Sequence, residues 1–384
     1  MRHRVTRILI VFTIVNAVGI LVFYGWVISN QVRRPKQVSA SGTIWSGGAG
    51  KRDWQNEIHN HQHQGSEHFE ERGSQPLYVP STYSKQPQNW HVIPPVPEHS
   101  ESDHVPPLDA AVLQKYQEYP QKPPRNSVLI LTPIHNVAGP LKRFLHLLQS
   151  LNYPHSLVSI AFGEDSSHDN TLHVAEDIAV ELRKSFARVD LFHFNLTGQI
   201  NGSWGTVHSR QNQFRRRQHL AQARNALLKA ALGQQDWVLW IDSDVSYFPS
   251  DIIQQLLSAE KEIVVPLCIY LNSHRKKHVF DKNTWRETNM SLAYQKKLPA
   301  HVLIFEGYDS TQRLWLSDLR AEGRVVPIDG VGGCTLLIQS KCHREGLIFP
   351  ESVFQHHIET EGLAKLARYM GYGVYGMPFV EVIH

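Results

Sequence analysis

The sequence predicts an α/β fold built on a mostly parallel sheet over residues 126–384. From Asn126 onward, apolar runs of strand length alternate with segments of helical period, the order of a sheet whose strands are joined by crossover helices. Those strand-length runs are almost continuously hydrophobic rather than alternating, as expected of strands covered on both faces. Acids end several of them. Asp165, Asp242 and Asp244 stand at predicted carboxyl ends, where open α/β sheets bind their ligands.

Taken in order, "SVLILTP" reads as a buried strand and "GPLKRFLHLLQSL" as a helix with Leu141, Phe144, Leu145 and Leu148 on one face. "LVSIAFGEDSS" is a second strand ending in acids, "NTLHVAEDIAVELRKSF" a second helix and "RVDLFHF" a third strand. "NQFRRRQHLAQARNALLKAAL" is a long helix with basic groups on one side, and the run Arg215, Arg216, Arg217 reads as a solvated face. It leads into the strand "DWVLWIDSD". No internal repeat is visible, so one domain of catalytic size is expected.

The first 125 residues differ in texture. Residues 1–7 are basic and Ile8–Ile28 is an apolar run of 21 residues. At about 1.5 Å per residue it spans roughly 30 Å, a bilayer core, and no A-x-A-like cleavage site follows it. We read 1–7 as a cytoplasmic tail, 8–28 as a retained transmembrane anchor and 29–125 as a stem rich in Pro, Gln, Ser, Gly and His. Basic residues flank the anchor on both sides, so charge bias does not orient it. The sequons at Asn195, Asn201 and Asn289 favour a lumenal C-terminal part. A net charge of +4 argues against a nucleic-acid partner. Cys268, Cys334 and Cys342 lack zinc spacing, and an odd count is no disulfide framework; Cys334 reads as a small buried residue rather than a nucleophile.

If the strand "WVLWI" stays extended, Asp242 and Asp244 point to one side, because side chains alternate with period two. Two carboxylates so close repel unless a cation lies between them, and a hard divalent ion would also leave positions open for a diphosphate. No P-loop and no G-x-G-x-x-G is present. Gly330, Gly332 and Gly333 in "DGVGGCTLL" allow close backbone approach to a ligand. Glu359 and Glu361 stand at a predicted helix start, where the dipole favours negative charge.

The blocks "VLILTPIHN", "AQARNALLKAAL", "WVLWIDSDVSYFPSDII", "DKNTWRET", "IFEGYDS", "PIDGVGGCTLLIQSKCHREGLIFP" and "IETEGLAKLARYMGYGVYGMP" closely resemble the fungal Anp1/Mnn9/Van1 mannosyltransferases. The resemblance runs collinearly from about Ser127 to His384. It implies a GT-A fold in a type II Golgi membrane protein, GDP-mannose as donor and Mn2+ as cofactor. It also implies α-1,6-mannose transfer onto a mannose acceptor in the N-glycan outer chain, and assembly with paralogous subunits.

Carried onto this chain, the resemblance makes Asp242 and Asp244 the ligands of metal and diphosphate, with His384 as a further metal ligand. Thr132, Pro133 and Asp165 fall where this fold meets the nucleoside, and Arg224 and Asn225 match an Arg-Asn pair of the family. Arg224 is expected to make a forked contact with the diphosphate. An α-linked donor and an α-linked product mean retention of configuration, by front-face attack or by double displacement. Asp329 and Glu361 are the candidates for orienting the acceptor or for the carboxylate that attacks first. Two rival readings stay open: a non-catalytic assembly subunit, and a transferase using another nucleotide sugar.

Overall fold

The computed structural model describes residues 103–384 apart from 199, 201–203, 308 and 310; the tail, the anchor at 8–28 and most of the stem lie outside the described residues. Strands β1 (Val128–Ile134), β2 (Val158–Asp165), β3 (Arg188–Phe194) and β4 (Trp237–Ile241) alternate with helices α2 (Ala138–Gln149), α3 (Thr171–Leu182) and α4 (Gln213–Ala231), after an opening helix α1 (Ala110–Gln117). They pair in the order β3-β2-β1-β4, all parallel. A short α5 (Ile252–Leu257) leads to β5 (Ile263–Leu271), and β10 (Thr335–Gln339), followed by the short helix α7 (Ser340–Arg344), is inserted antiparallel between β4 and β5. Beyond β5 lies β11 (Val374–Ile383), parallel to it, and the antiparallel β9 (Val326–Pro327) completes that edge. The sheet has 9 strands, the last being β6 (Lys277–Val279) on β5. The predicted mixed α/β, mostly parallel sheet is thus observed.

Alternation places each strand's side chains in two separate cores. Leu129, Leu131, Val238 and Trp240 pack with Ala221 and Leu227 of α4 and with Leu363 and Leu366 of α8 (Glu359–Tyr369). Val128, Ile130, Leu239 and Ile241 pack on the other face with Phe144 of α2 and Ile178 of α3. On α2, Leu141, Phe144 and Leu148 are buried as the period of 3.6 requires, while Leu145 only abuts that core.

Between β6 and β9 the chain builds a second layer. β7 (Trp285–Arg286) pairs with β8 (Leu314–Trp315), and α6 (Asn289–Gln295) is closed by a capping box in which Thr288 and Ser291 exchange hydrogen bonds. Arg313, wholly buried, lies between Glu287 and Glu306 at 3.1 Å from each, and Lys365 reaches Glu287 at 2.7 Å. Both nitrogens of the neutral His357 are used: Nε2 accepts from Arg313 and Nδ1 donates to the carbonyl of Gln355.

Two features depart from the sequence reading. The folded unit takes in residues assigned to the stem: Val105 is 2% exposed, its N–H donates to the Lys277 carbonyl, and Tyr116 stacks on Phe379. Cysteine parity also misled, because Cys268 and Cys334 form a disulfide while Cys342 stays free and buried. The inserted β10 brings Cys334 beside β5, an adjacency that a count of cysteines cannot reveal.

Candidate active site

The chain turns where β4 stops, after Ile241. The Asp242 N–H donates to the Cys334 carbonyl at 3.1 Å, and the N–H groups of Ser246 and Tyr247 donate to the Ile383 carbonyl. The strand therefore does not continue through Asp244, and the two acids find different partners. Asp242 Oδ1 lies 3.0 Å from Arg224 Nη2, and Asp244 Oδ2 lies 3.0 Å from His384 Nε2. Both carboxylates keep an open side, with exposures of 33% and 45%. Burial and the charge of Asp244 push Asp242 up to about 6 despite Arg224. Burial would also raise Asp244, but the hydrogen bond and charge of His384, with Arg143 nearby, outweigh it and hold that carboxyl below the usual range.

The Arg224 guanidinium, expected to grip a diphosphate, here bridges two carboxylates. Its Nη2 donates to Asp242 and its Nε donates to Glu359 at 3.1 Å, while Nη1 is buried and has no partner. The guanidinium lies 5.6 Å from the ring centres of both Trp240 and Phe349. Gly333 is required beside it, since a Cβ there would come within 2.4 Å of Nη2. Glu359 itself has a φ of +55° at the start of α8, a left-handed backbone that a non-glycine residue adopts at a cost of about 1–3 kcal/mol and that clusters at functional sites. Asn225 is one residue on but faces elsewhere: it clasps the backbone of Phe349 at 2.8 and 2.9 Å and the Glu351 carboxylate at 3.0 Å.

Along the same edge of the sheet, β1 and β2 carry the other predicted residues. Thr132 is buried with its hydroxyl unpartnered, and Pro133 follows it beside Gly163 of β2. The Asp165 carboxylate is fixed by His219 Nε2 at 2.6 Å and by the Leu196 N–H at 3.0 Å. His219 and Arg224 both belong to α4, so one helix braces the acids of β2 and β4.

Several residues in this network were not singled out by sequence. Asp281, just after β6, accepts from the N–H groups of Cys334 (3.3 Å) and Asn283 (3.2 Å), and burial raises its pKa. A Cβ on Gly332 would overlap its carboxylate, so the glycine pair admits Asp281 on one side and Arg224 on the other. Phe280 lies flat on the His384 ring. His219 acts through Asp165, while Glu359, which the sequence did mark at a helix start, acts through Arg224. The acids after a strand and the glycines were the only sequence signals for these positions.

The structure corrects Arg217 outright: it is 5% exposed and paired with Glu361, not solvated. Glu361 has no exposed surface and also accepts from Trp285 Nε1 at 2.9 Å, so in this arrangement it organises Arg217 rather than meeting a substrate. Asp329 is not brought to the acid pair. It pairs with Arg368 and accepts from the Glu287 N–H at 2.8 Å, and Arg368 lies nine residues beyond Glu359 along α8, about 13.5 Å at 1.5 Å per residue.

Among the described residues no three His, Cys, Asp or Glu side chains converge on one point, because Asp242 leans on Arg224 and Asp244 on His384. The donors themselves fit a hard divalent cation: two carboxylates on one turn and an imidazole. Burial and, after it, the charge of Asp244 raise Asp242, and a bound cation would offset both.

The family profile described as Anp1 matches residues 110–353. The Schizosaccharomyces pombe protein named mannan polymerase II complex anp1 subunit is 33% identical over 281 residues, covering 68% of this chain and 64% of that one. The mannan polymerase complex subunit mnn9 of the same organism is 32% identical over 279 residues, covering 68% of this chain and 80% of its own length. The matched part of the chain thus spans less than two thirds of the first relative. A solved mannosyltransferase of Pyrobaculum calidifontis in complex with GDP-Man and Mn2+ aligns over 71% of this chain and 62% of its own at 15% identity and a TM-score of 0.40, too low to carry detail across.

Proposed function

This chain belongs to the Anp1 family, and from that premise we propose that it is a Golgi mannosyltransferase. It moves mannose from GDP-mannose onto a mannose acceptor of the N-glycan outer chain, forming an α-1,6 linkage with retention, within a complex of paralogous subunits. The observation that carries this reading is the meeting of Asp242, Asp244, Arg224 and His384 at the carboxyl end of β4. Asp242, Asp244 and His384 would hold Mn2+, which when bound would supply positive charge for the leaving diphosphate. The spare Nη1 of Arg224 adds a donor fixed by Glu359, in a buried setting where one hydrogen bond to developing charge is worth most.

Asp165, held by His219, and Thr132 with Pro133 take the nucleoside. Asp281, which shares Cys334 with Asp242, is the carboxylate we assign to the acceptor in place of Asp329 and Glu361. The disulfide supports a lumenal, oxidising location, and with the apolar run at 8–28 it supports a type II Golgi membrane protein.

The test is transfer by the detergent-solubilised full chain, given GDP-mannose, Mn2+ and α-1,6-mannobiose, beside the double variant Asp242→Asn, Asp244→Asn. Manganese-dependent transfer lost in the variant supports the reading. Binding of GDP without transfer, even after co-purification with paralogous subunits, replaces it with the assembly-subunit role. Preference for a UDP-sugar overturns the donor.

A further inference from the structure

Phe280 is a large aromatic residue left 41% exposed beside the candidate active site. One face is covered: the His384 ring lies parallel to it at 12°, with ring centres 3.6 Å apart. His384 in turn touches Asp244. The Phe280 N–H donates to the Cys268 carbonyl at 3.0 Å, and Cys268 is bonded to Cys334, whose N–H holds Asp281. The ring is thus fixed from behind and from its backbone, on the strand-end cluster that bears the acids. A second exposed aromatic, Tyr247 (50%), pairs backbone to backbone with Ile383.

We propose that the open face of Phe280 is a stacking platform for a mannose ring of the acceptor oligosaccharide. A pyranose presents a face of C–H groups that packs on an aromatic ring, while its hydroxyls need polar partners at the rim. Asp244 stands one side chain away, through His384, on the covered side of the ring.

The nucleobase is the wrong occupant on geometric grounds. In the order β2-β1-β4-β10-β5, Asp165 lies four strands from the β5 edge that carries β6 and Phe280, about 19 Å at the usual strand spacing. A nucleotide whose diphosphate sits over Asp242 and whose base reaches the β2 side leaves Phe280 to the sugar side. A fixed ring is also the economical design, because little conformational freedom is lost when a ligand lands on it.

This assignment rests on the reading of the site as a mannosyltransferase, so its test uses binding as well as turnover. The full chain in detergent, saturated with Mn2+ and GDP, is titrated with α-1,6-mannobiose by saturation-transfer NMR for the native protein, Phe280→Ala and Phe280→Tyr. The same three proteins are assayed for transfer, and their Mn2+ and GDP affinities are measured separately. Phe280→Ala is expected to weaken mannobiose binding and raise the acceptor KM about tenfold, with Mn2+ and GDP affinities unchanged and Phe280→Tyr close to native. Unchanged mannobiose binding overturns the platform, as does a fall in Mn2+ affinity of the same size, which would make Phe280 a brace for His384. If the native protein binds mannobiose through Phe280 but transfers nothing, the platform stands and the transferase reading falls. If it transfers mannose and Phe280→Ala matches it, the reverse holds.

Discussion

The guanidinium of Arg224 lies between two carboxylates, 3.0 Å from Asp242 and 3.1 Å from Glu359. Burial would lower its pKa, but the two negative charges more than compensate and raise it, so the group stays charged and one nitrogen remains unspent. Arg224→Ala leaves Glu359 buried without a cation, at an expected cost of about 3–5 kcal/mol, together with loss of GDP affinity. Arg224→Lys keeps the charge but not the fork, and should recover stability better than GDP binding. Denaturant unfolding and GDP titration, run on both variants, check this; equal loss of both quantities in both variants would contradict it.

The stem boundary gives a second expectation. A fragment beginning at 126 discards the Val105 anchor, the Tyr116–Phe379 stack and the hydrogen bond from Tyr119 to Asp251. Burial of Val105 alone is worth about 2 kcal/mol. The fragment 126–384 should therefore melt several degrees below 103–384 and yield less soluble protein. Identical melting curves would show that these residues are dispensable.

Removing the Cys268–Cys334 bond by the double change to serine opens a loop with a separation of 66 residues. The chain-entropy account predicts a loss of about 4 kcal/mol. Cys342 is buried, with its pKa pushed up to about 12 by desolvation, so a thiol reagent should label the native protein at Cys342 only after unfolding. Denaturant unfolding of the double serine variant checks the first point, and mass mapping of labelled peptides with and without denaturant checks the second.

Acid should weaken the fold in two windows. Burial lowers His343 to about 4 from an ordinary 6.5. A depressed folded pKa means stability that is full above 6.5 and lost as pH falls toward 4, by about 3 kcal/mol in total. His357 is depressed in the same direction by burial and by Lys365 and Arg313, so His343→Gln should remove only its own share of the slope. Glu287 follows below that: burial would raise it, but Lys365 and Arg313 hold it far below 4.5, and its contribution is lost as pH falls beneath that value. Melting temperature against pH for the native protein and His343→Gln tests the order.

What the sequence made legible was local. Strand and helix period located β1 to β4 and α2 to α4, because a run such as "VLILTP" carries its burial in its own composition. The acids at strand ends were visible for the same reason. Arg217 was misread because helical period cannot say which member of a basic run meets a carboxylate 144 residues away. The disulfide depends on β10 slipping between β4 and β5, and Val105 lies in a stretch too polar to look like core. Asp281 follows a three-residue strand that no periodicity could mark.

The insertion of β10 also governs how the molecule is made. β4 ends at residue 241, and the strand that covers its outer edge begins at 335. A ribosome adding roughly 5–20 residues per second leaves that edge bare for roughly 5 to 20 s. The exposed segment, "WVLWI", is wholly apolar, and an open apolar edge is a template for pairing with other chains. Soluble yield in a foreign host is therefore set during that interval: synonymous codons that slow translation between 242 and 334 should lower recovery, and fast codons there should raise it, although the protein produced is identical.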